Sequence, residues 1–494
     1  MNRSGSAAAR LPESERLDLA IRALARSESV TELAAEHGVS RKFVYEQKGK
    51  ASAALDEAFA IDASDAGEEV LFELKVTRRW LRQVIVALTL ICRSSYRGVI
   101  EFLRDLLGVH VSEGTVHNVQ AAAAEQAVVI NGGINLAAIE VGLHDEIFQG
   151  GQPVLAGVDA ASTYCYLLEA VEHRDADTWG VNLLGASAQG LALKFSVGDA
   201  GAGLRAGQKL AWPDTPCHGD VFHIQHQFVG LANTLARIAQ GHISSCEKQQ
   251  ARIDKRHRRD QKRDLAGKLE SARQAEVRAQ ALASDVRTLA TWLGRDVLSL
   301  AGPTLGTRQE MYDFIVAELQ RREHDDDEQR IRAMRVALEN QRNDLLAFAG
   351  VLDDKLSAIA QTHDLPDSLV REVLVLHRLP STSQSYWQGW GRLQAPLASK
   401  FQAVFDAVQR AMAQTPRCSS LVENVNSRLR TYFTLRRHLG GSYLDLLQFF
   451  LNHRRFMRSR VDRMGKSPRE LMTGQQHPHW LTLLGLGPLQ PLRA

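Results

Sequence analysis

Three acidic residues occupy separate and structurally distinctive places along the chain. Asp159 follows the apolar run 154–158, and Asp199 ends a second, largely apolar run at 191–198. Glu423 lies far downstream, in a segment whose pattern predicts the start of a helix. Carboxylate oxygens are the ligands that Mg²⁺ prefers, and a pair of such ions can promote attack on a phosphodiester. The arrangement therefore predicts a metal-dependent enzyme that acts on phosphodiester bonds.

The bulk composition is that of a globular protein with several domains. The chain has 494 residues, of which 44% are hydrophobic and 24% are charged. No apolar run approaches the roughly 20 residues that a membrane helix needs, and the polar N-terminus lacks the apolar core of a secretory signal. The five cysteines are odd in number and dispersed, which argues against a disulfide framework. We therefore expect a cytoplasmic protein with no membrane partner.

The net charge of +3 conceals two strongly basic segments, at residues 248–263 and 428–460. Clustered positive charge indicates nucleic-acid binding better than the total charge does. A solvated helix face is the alternative, because most charge runs are no more than that. The presence of both segments beside a metal-type acidic set favours DNA as the partner.

The N-terminal part of the chain carries a helix-turn-helix pattern. Residues 1–12 have the composition of a disordered segment, and residues 13–60 are predicted to form a DNA-binding domain. Ala34 permits close helix packing, Gly38 permits a tight turn, and Ser40 can cap the second helix. That helix would present four side chains to a DNA groove: Arg41, Lys42, Tyr45 and Gln47. An ordinary helical hairpin is the alternative.

A second unit of the same kind is predicted within residues 61–140. Residues 95–103 are amphipathic, a glycine and a capping serine follow, and residues 113–119 start another helix. This helix would bring Thr115 and His117 to DNA.

From about residue 141 the hydrophobic period changes to that of strands. Residues 141–240 predict a strand and helix order of β-β-β-α-β-α-β, with Asp159 and Asp199 at strand ends. Residues 241–415 are almost wholly helical in composition, and residues 416–465 return to the catalytic domain with Glu423. The last segment is a tail, 466–494, whose Pro- and Leu-rich part, 478–494, is expected on the surface. The fold class is therefore multidomain: an α-helical N-terminal region and an α/β catalytic domain, a mixed sheet flanked by helices, interrupted by a long all-α insertion.

The motifs around the second and third acids resemble those of a known family. Asp199 is followed by a Gly-Leu helix and a proline, and then by the motif Asp220-x-x-His223. Glu423 has Asn426 close behind it and a basic residue a turn later. The chain resembles the DDE transposases of the ribonuclease H-like, retroviral-integrase superfamily, and in particular the Mutator-type insertion-sequence transposases.

The resemblance covers residues 145–238 and 419–457, and the helical segment between them corresponds to the family's insertion domain. Two departures stand out. Ala200 replaces a glycine that many relatives have, and the insertion carries no motif that identifies an element family.

The resemblance implies that Asp159, Asp199 and Glu423 hold two Mg²⁺ ions, for which Mn²⁺ can substitute. Asp159 would bridge the two ions, and His223 would act beside the scissile phosphate as a donor or as an orienting group. The family's supporting roles fall on four further residues: Asp220 and Asn426 behind the catalytic groups, and Arg428 and Arg430 against DNA.

The activity implied is cleavage at the terminal inverted repeats of a mobile element and joining of 3′-hydroxyl ends to target DNA. The partners would be double-stranded DNA, both element ends and target, and further copies of the chain, because two ends must be held together in a homodimer or higher oligomer. The setting would be the bacterial cytoplasm, on the nucleoid. Two alternatives remain: a transposase-derived DNA-binding regulator without catalysis, and a metal-dependent DNA nuclease without strand transfer.

Overall fold

The structure is a computed structural model, and it describes residues 11–59, 74–255, 259–326, 329–435 and 441–489. The predicted disordered N-terminus lies almost wholly outside the described residues, as do parts of both basic segments. The chain divides into two compact units, Met1–Lys75 and Val76–Ala494. In the described residues no helix is both long and apolar enough to cross a membrane.

The described part of the first unit consists of α1 (Glu13–Ala25), α2 (Val30–Glu36) and α3 (Arg41–Phe59). A capping box starts α2, in which Ser29 Oγ accepts from the Glu32 amide and the Glu32 carboxylate accepts from the Ser29 amide. Gly38 has φ +62° in the turn before α3, a backbone conformation that glycine adopts without strain. The core of this unit contains three fully buried side chains: Leu19, Leu33 and Val44.

The second unit opens with α4 (Arg78–Leu90), α5 (Tyr96–Leu107) and α6 (Glu113–Gly132). The predicted turn and cap before α6 are confirmed. Gly108 has φ +62° at the end of α5, and Ser112 Oγ accepts from the Thr115 amide at 3.1 Å. Val99, Leu103 and Val116 are buried between these helices.

A mixed sheet of five strands follows: β1 (Val141–Gln149), β2 (Gln152–Asp159), β3 (Cys165–Ala170), β4 (Phe195–Gly198) and β5 (Cys217–Gly219). The spatial order is β3-β2-β1-β4-β5, with β1–β2 and β2–β3 antiparallel and β1–β4 and β4–β5 parallel. Two helices connect the last strands: α7 (Ala176–Ala188) and α8 (Ala202–Ala211). The predicted mixed sheet with helices is confirmed at this level.

Seven long helices occupy most of the following segment in the described residues: α9 (Val221–Asp254), α10 (Arg259–Trp292), α11 (Leu305–Arg322), α12 (Arg330–His363), α13 (Asp367–Leu376), α14 (Gln384–Leu397) and α15 (Phe401–Ala413). Short π and 3₁₀ segments lie at residues 293–297, 323–325 and 398–400. The predicted boundary after residue 240 falls inside α9. Gly241 does not end this helix, because an isolated glycine within a helical pattern is tolerated.

The chain then returns to the sheet with α16 (Ser420–Phe433) and α17 (Gly441–His453), and it ends with α18 (Pro468–Thr473) and a π segment at 482–486. The expectation of a surface tail is wrong for part of this last segment. Trp480 and Leu484 are buried in the core that covers one face of the sheet.

The two faces of the sheet pack against different elements. Side chains alternate between the faces along a strand, so Leu143 and Ile147 of β1 share one face with Asp145. That face packs against α16 over β1 and β2, and against α17 over β3. The opposite face is covered by α7, with Trp179 and Leu183 buried against it. Asp145 therefore lies in an otherwise apolar layer beneath α16.

Candidate metal centre

Three side chains from distant parts of the chain converge beside the sheet. Asp145, His223 and Glu423 each offer a ligand atom, and these atoms all lie within 4.8 Å of one another. Asp145 is in the middle of β1, while His223 and Glu423 lie in the first turns of α9 and α16. The predicted helix start at Glu423 is confirmed. One strand and two helix starts thus place two carboxylates and an imidazole around a common point.

Asp145 is almost fully buried, and its carboxylate is held by two donors. Its Oδ1 accepts from the Glu146 amide at 2.8 Å, and its Oδ2 accepts from Asn426 Nδ2 at 2.9 Å. Burial raises the pKa of Asp145 to about 7, and the negative charges of Glu423 and Asp199 act in the same direction. A carboxylate in this position is stabilised in its charged form when a cation lies beside it.

Asp199 stands at the edge of this group. β1 and β4 are parallel neighbours, and Leu143 lies opposite Val197. Two residues farther along the chain are Asp145, within β1, and Asp199, directly after the end of β4, which brings the two acids to the same region of the sheet. Asp199 interacts electrostatically with Asp145 and with His223, and its Oδ1 accepts from the Gly201 amide at 2.8 Å. It supplies a third carboxylate next to the converging group.

His223 is oriented by Asp220, the residue that precedes α9. The His223 Nδ1 lies 3.0 Å from Asp220 Oδ2, and its Nε2 lies 3.9 Å from Glu423 Oε1. The ion pair with Asp220 raises the pKa of His223 to about 9. Asp220 also accepts from the Phe222 amide at 2.7 Å, which caps α9. Asp220 therefore lies behind His223 and outside the converging group.

Asp220 is in turn tied to the segment before α16. Its Oδ2 accepts from the Ser419 amide at 3.0 Å and from the Ser419 hydroxyl. The Val221 amide donates to the Arg417 carbonyl at 3.0 Å. Burial raises the pKa of Asp220, but the contacts with His223 and Ser419 outweigh it and hold the pKa below its usual value. These bonds fix the starts of α9 and α16 relative to each other.

Asp159 does not join this group, in disagreement with the prediction that it holds the metal ions. It pairs with Gly142 of β1, an odd number of residues from Asp145, so the two aspartates lie on opposite faces of the β1–β2 pair. Its carboxylate accepts from the amides of Ala161 at 3.2 Å and Ser162 at 2.8 Å, and from the Ser162 hydroxyl. Asp159 thus stabilises the turn between β2 and β3.

Asp145 is the residue that the sequence reasoning missed. Asp159 was predicted as a metal ligand because it ends an apolar run, whereas Asp145 lies inside a strand. A signal was nevertheless present, because Leu143, Asp145 and Ile147 alternate with period two and share one face. An acid on the apolar face of a strand is rarely buried without a partner.

The residues predicted to contact DNA have different surroundings. Arg41, Lys42 and Tyr45 are exposed on α3, but Gln47 is only 9% exposed and is not presented with them. The prediction for Gln47 is therefore wrong. Val44 and Gln47 share the buried face of α3, since they are three residues apart on a helix.

The remaining predicted DNA contacts lie in the second unit. Thr115 and His117 are exposed in the first turns of α6. Arg430 is exposed, with its Nη2 3.9 Å from Glu423 Oε2, and Arg428 is partly buried on the same helix. Asn426, predicted to lie behind the catalytic acids, donates to Asp145, which was not among the predicted acids.

The chain was compared with models of known protein families and with curated protein sequences. Neither comparison gave a match. The function is therefore inferred from the geometry of the site.

Proposed function

We propose that this chain is a metal-dependent enzyme that cleaves DNA strands and joins them, as DDE transposases do. The observation that carries the proposal is the convergence of Asp145, Glu423 and His223, with Asp199 beside them. Asp145 is on β1, Asp199 directly follows the parallel neighbour β4, and Glu423 is on α16, which packs against β1; this arrangement is compatible with a ribonuclease H-like domain. The trio differs from the one expected from sequence in its first member, which is Asp145 and not Asp159.

The donor set fits divalent cations with hard oxygen ligands. Three carboxylates offer oxygen atoms for Mg²⁺ or Mn²⁺ and leave room in the coordination shell for phosphate and water. Asp145 interacts electrostatically with both other acids, and the three carboxylates would together hold the ions. Bound there, such ions would activate an attacking water or 3′-hydroxyl and offset the charge on the leaving oxygen.

The protein's own groups would position the reactants. Asn426 donates to Asp145 and fixes the orientation of its carboxylate. His223, kept protonated by Asp220, can donate a hydrogen bond to a non-bridging phosphate oxygen. Ser419 holds Asp220 in place.

Recognition of DNA is assigned to the helical regions that precede the sheet. In the first unit, Arg41, Lys42 and Tyr45 form an exposed basic and aromatic surface at the start of α3, as a recognition helix requires. Strand transfer would also need a second copy of the chain to hold the second end. These features favour a site-specific transposase over a regulator or a simple nuclease.

The test is an assay of plasmid nicking and strand transfer by the full chain. Purified protein is incubated with supercoiled plasmid and a labelled duplex that carries the DNA flanking the coding sequence, with Mg²⁺, Mn²⁺ or EDTA. We expect nicking and joined products only with metal. Absence of metal-dependent nicking in the wild type, or full nicking by Asp145→Asn, would refute the proposal. Nicking without joined products would indicate a nuclease.

A further inference from the structure

A second cluster of charged side chains lies near α16. Arg93 follows α4, Arg428 is in α16, and Arg454 follows α17. The Arg93 guanidinium carbon is 5.5 Å from the centroid of the Tyr432 ring, and that of Arg454 is 5.4 Å from the centroid of the Phe450 ring. Tyr432 is one turn from Arg428 on α16, and Arg428 interacts electrostatically with both Arg93 and Arg454, so the three arginines are neighbours.

The packing of the helices holds this cluster in place. Tyr432 follows Arg428 by one turn of α16, and its hydroxyl donates to the Leu90 carbonyl at 2.5 Å. This bond ties the end of α4, and hence Arg93, to α16. On the other side, Asn452 Oδ1 accepts from the Cys165 amide at 2.7 Å, which ties the end of α17 to β3.

The charges of the cluster are not balanced by acids in the described part of the chain. There, no carboxylate pairs with the guanidinium of Arg93, Arg428 or Arg454. Burial lowers the pKa of Arg428, and the positive charges of Arg454 and Arg93 lower it further. By contrast, the half-buried Arg335 of α12 pairs with Glu323 and Glu339.

We propose that Arg93, Arg428 and Arg454 form a binding site for the phosphates of a DNA backbone. Guanidinium groups bind phosphate oxygens through pairs of parallel hydrogen bonds, and partly buried positive charges without acids are stabilised by an anion.

The cluster includes a residue of α16, the helix that also carries Glu423 of the proposed site. Arg428 is five residues after Glu423 on α16, about 7.5 Å along the helix axis. The choice of DNA rests on the proposed function, whereas binding of an anion follows from the arginines alone.

The test measures binding of a labelled short duplex to the full chain by fluorescence anisotropy over a range of KCl concentrations, in EDTA so that no cleavage occurs. The variant replaces all three arginines: Arg93→Gln, Arg428→Gln and Arg454→Gln. Each lost phosphate contact reduces the slope of log K against log salt by about 0.9, so we expect a reduction of up to about 2.7 and a weaker Kd.

A matched control removes three arginines that are paired with acids on the helical segment: Arg321, Arg342 and Arg392. It changes the net charge equally, and we expect its slope to equal that of the wild type. Arg93→Gln alone, at an exposed position, guards against misfolding of the triple variant, and its slope should fall by about 0.9. Wild-type slopes for both the triple variant and Arg93→Gln would overturn the proposal.

Isothermal titration calorimetry with inorganic phosphate distinguishes a small phosphate from a DNA backbone as the anion that the cluster binds. If the triple variant loses a phosphate site of the wild type but keeps the wild-type salt slope for DNA, the cluster binds a small phosphate and the proposal is overturned. A reduced slope in a chain without metal-dependent nicking would support the cluster as a DNA site while refuting the catalytic function.

Discussion

Two buried aspartates on adjacent strands, Asp145 of β1 and Asp159 of β2, have opposite surroundings. Asp159 is 3% exposed, and donors from residues 161 and 162 satisfy its carboxylate. Asp145 is 7% exposed, and it faces two other acids and a histidine. An acid at the end of an apolar run can therefore be a turn residue, while the acid suited to bind a cation lies inside the strand.

The range of the interactions separates the two residues further. The carboxylate of Asp159 bonds to groups no more than three residues away. Asp145 takes one of its bonds from Asn426, 281 residues away along the chain. Local bonds supply the donors to the carboxylate of Asp159, whereas distant elements bring the carboxylates of Asp199 and Glu423, as well as His223, to the surroundings of Asp145.

The largest expected effect is on catalysis. Asp145→Asn removes a ligand from the centre of the group, and loss of several kcal/mol of transition-state stabilisation corresponds to a decrease in nicking rate on the order of 10³-fold. Asp199→Asn and Glu423→Gln should have similar effects. The rate is measured at saturating Mg²⁺ on protein whose folding is checked by circular dichroism. Loss of nicking in Asp159→Asn together with retained nicking in Asp145→Asn would contradict this assignment of roles to the two aspartates.

A second effect concerns the stability of the metal-free protein. The pKa of Asp145 is raised from 3.8 to about 7 in the folded chain, so the folded state binds more protons than the unfolded state between these values. Its free energy of unfolding should therefore fall as the pH rises from about 4 to about 7, by up to about 4 kcal/mol.

Urea unfolding in EDTA at a series of pH values measures this loss. Asp145→Asn should abolish this decrease in the free energy of unfolding, and Asp159→Asn should retain it. An identical pH dependence in the wild type and Asp145→Asn would mean that Asp145 titrates normally.

The third effect is on metal affinity, because Asn426 holds the carboxylate of Asp145 in place. Asn426→Ala removes the donor to Oδ2, and loss of such a supporting bond weakens metal binding about 10- to 100-fold. Titration with Mn²⁺ measures the affinity. Asn131→Ala is the matched control, because Asn131 is also buried and donates to the Asp445 carbonyl. Equal losses of affinity in both variants would show a general effect of destabilisation.

The smallest effect is expected at the turn. Asp159→Asn replaces one acceptor oxygen by a donor facing Ser162, which costs about 1–3 kcal/mol of unfolding free energy. Nicking per folded molecule should remain that of the wild type, since Asp159 lies on the other face of the strand pair. Chemical denaturation together with the nicking assay tests both statements, and a loss of Mn²⁺ affinity in this variant would contradict them.

Local patterns allowed much of the scaffold to be predicted. The cap at Ser112, the glycine turns and the start of α16 depend on residues within a few positions of one another, and all three are confirmed. The motifs that contain His223 and Glu423 correctly pointed to residues that meet in the structure.

The part that could not be predicted depends on pairing between distant segments. The position of Asp145 beside Asp199 follows from the parallel register of β1 and β4, and its position beside Glu423 follows from the packing of α16 across the sheet. Neither position can be predicted from a short stretch of the sequence. The error at Gln47 is different, because its spacing from Val44 already indicated the buried face of α3.

The bonds that join Asp220 to Ser419 link positions 199 residues apart along the chain. Beside them, the Val221 amide donates to the Arg417 carbonyl, so the long helical segment leaves the region of the sheet and returns to it at one point. This segment is thus an insertion whose two ends are bonded to each other. Because both of its ends are held together, a change in the length of this segment would leave His223 and Glu423 at the same places.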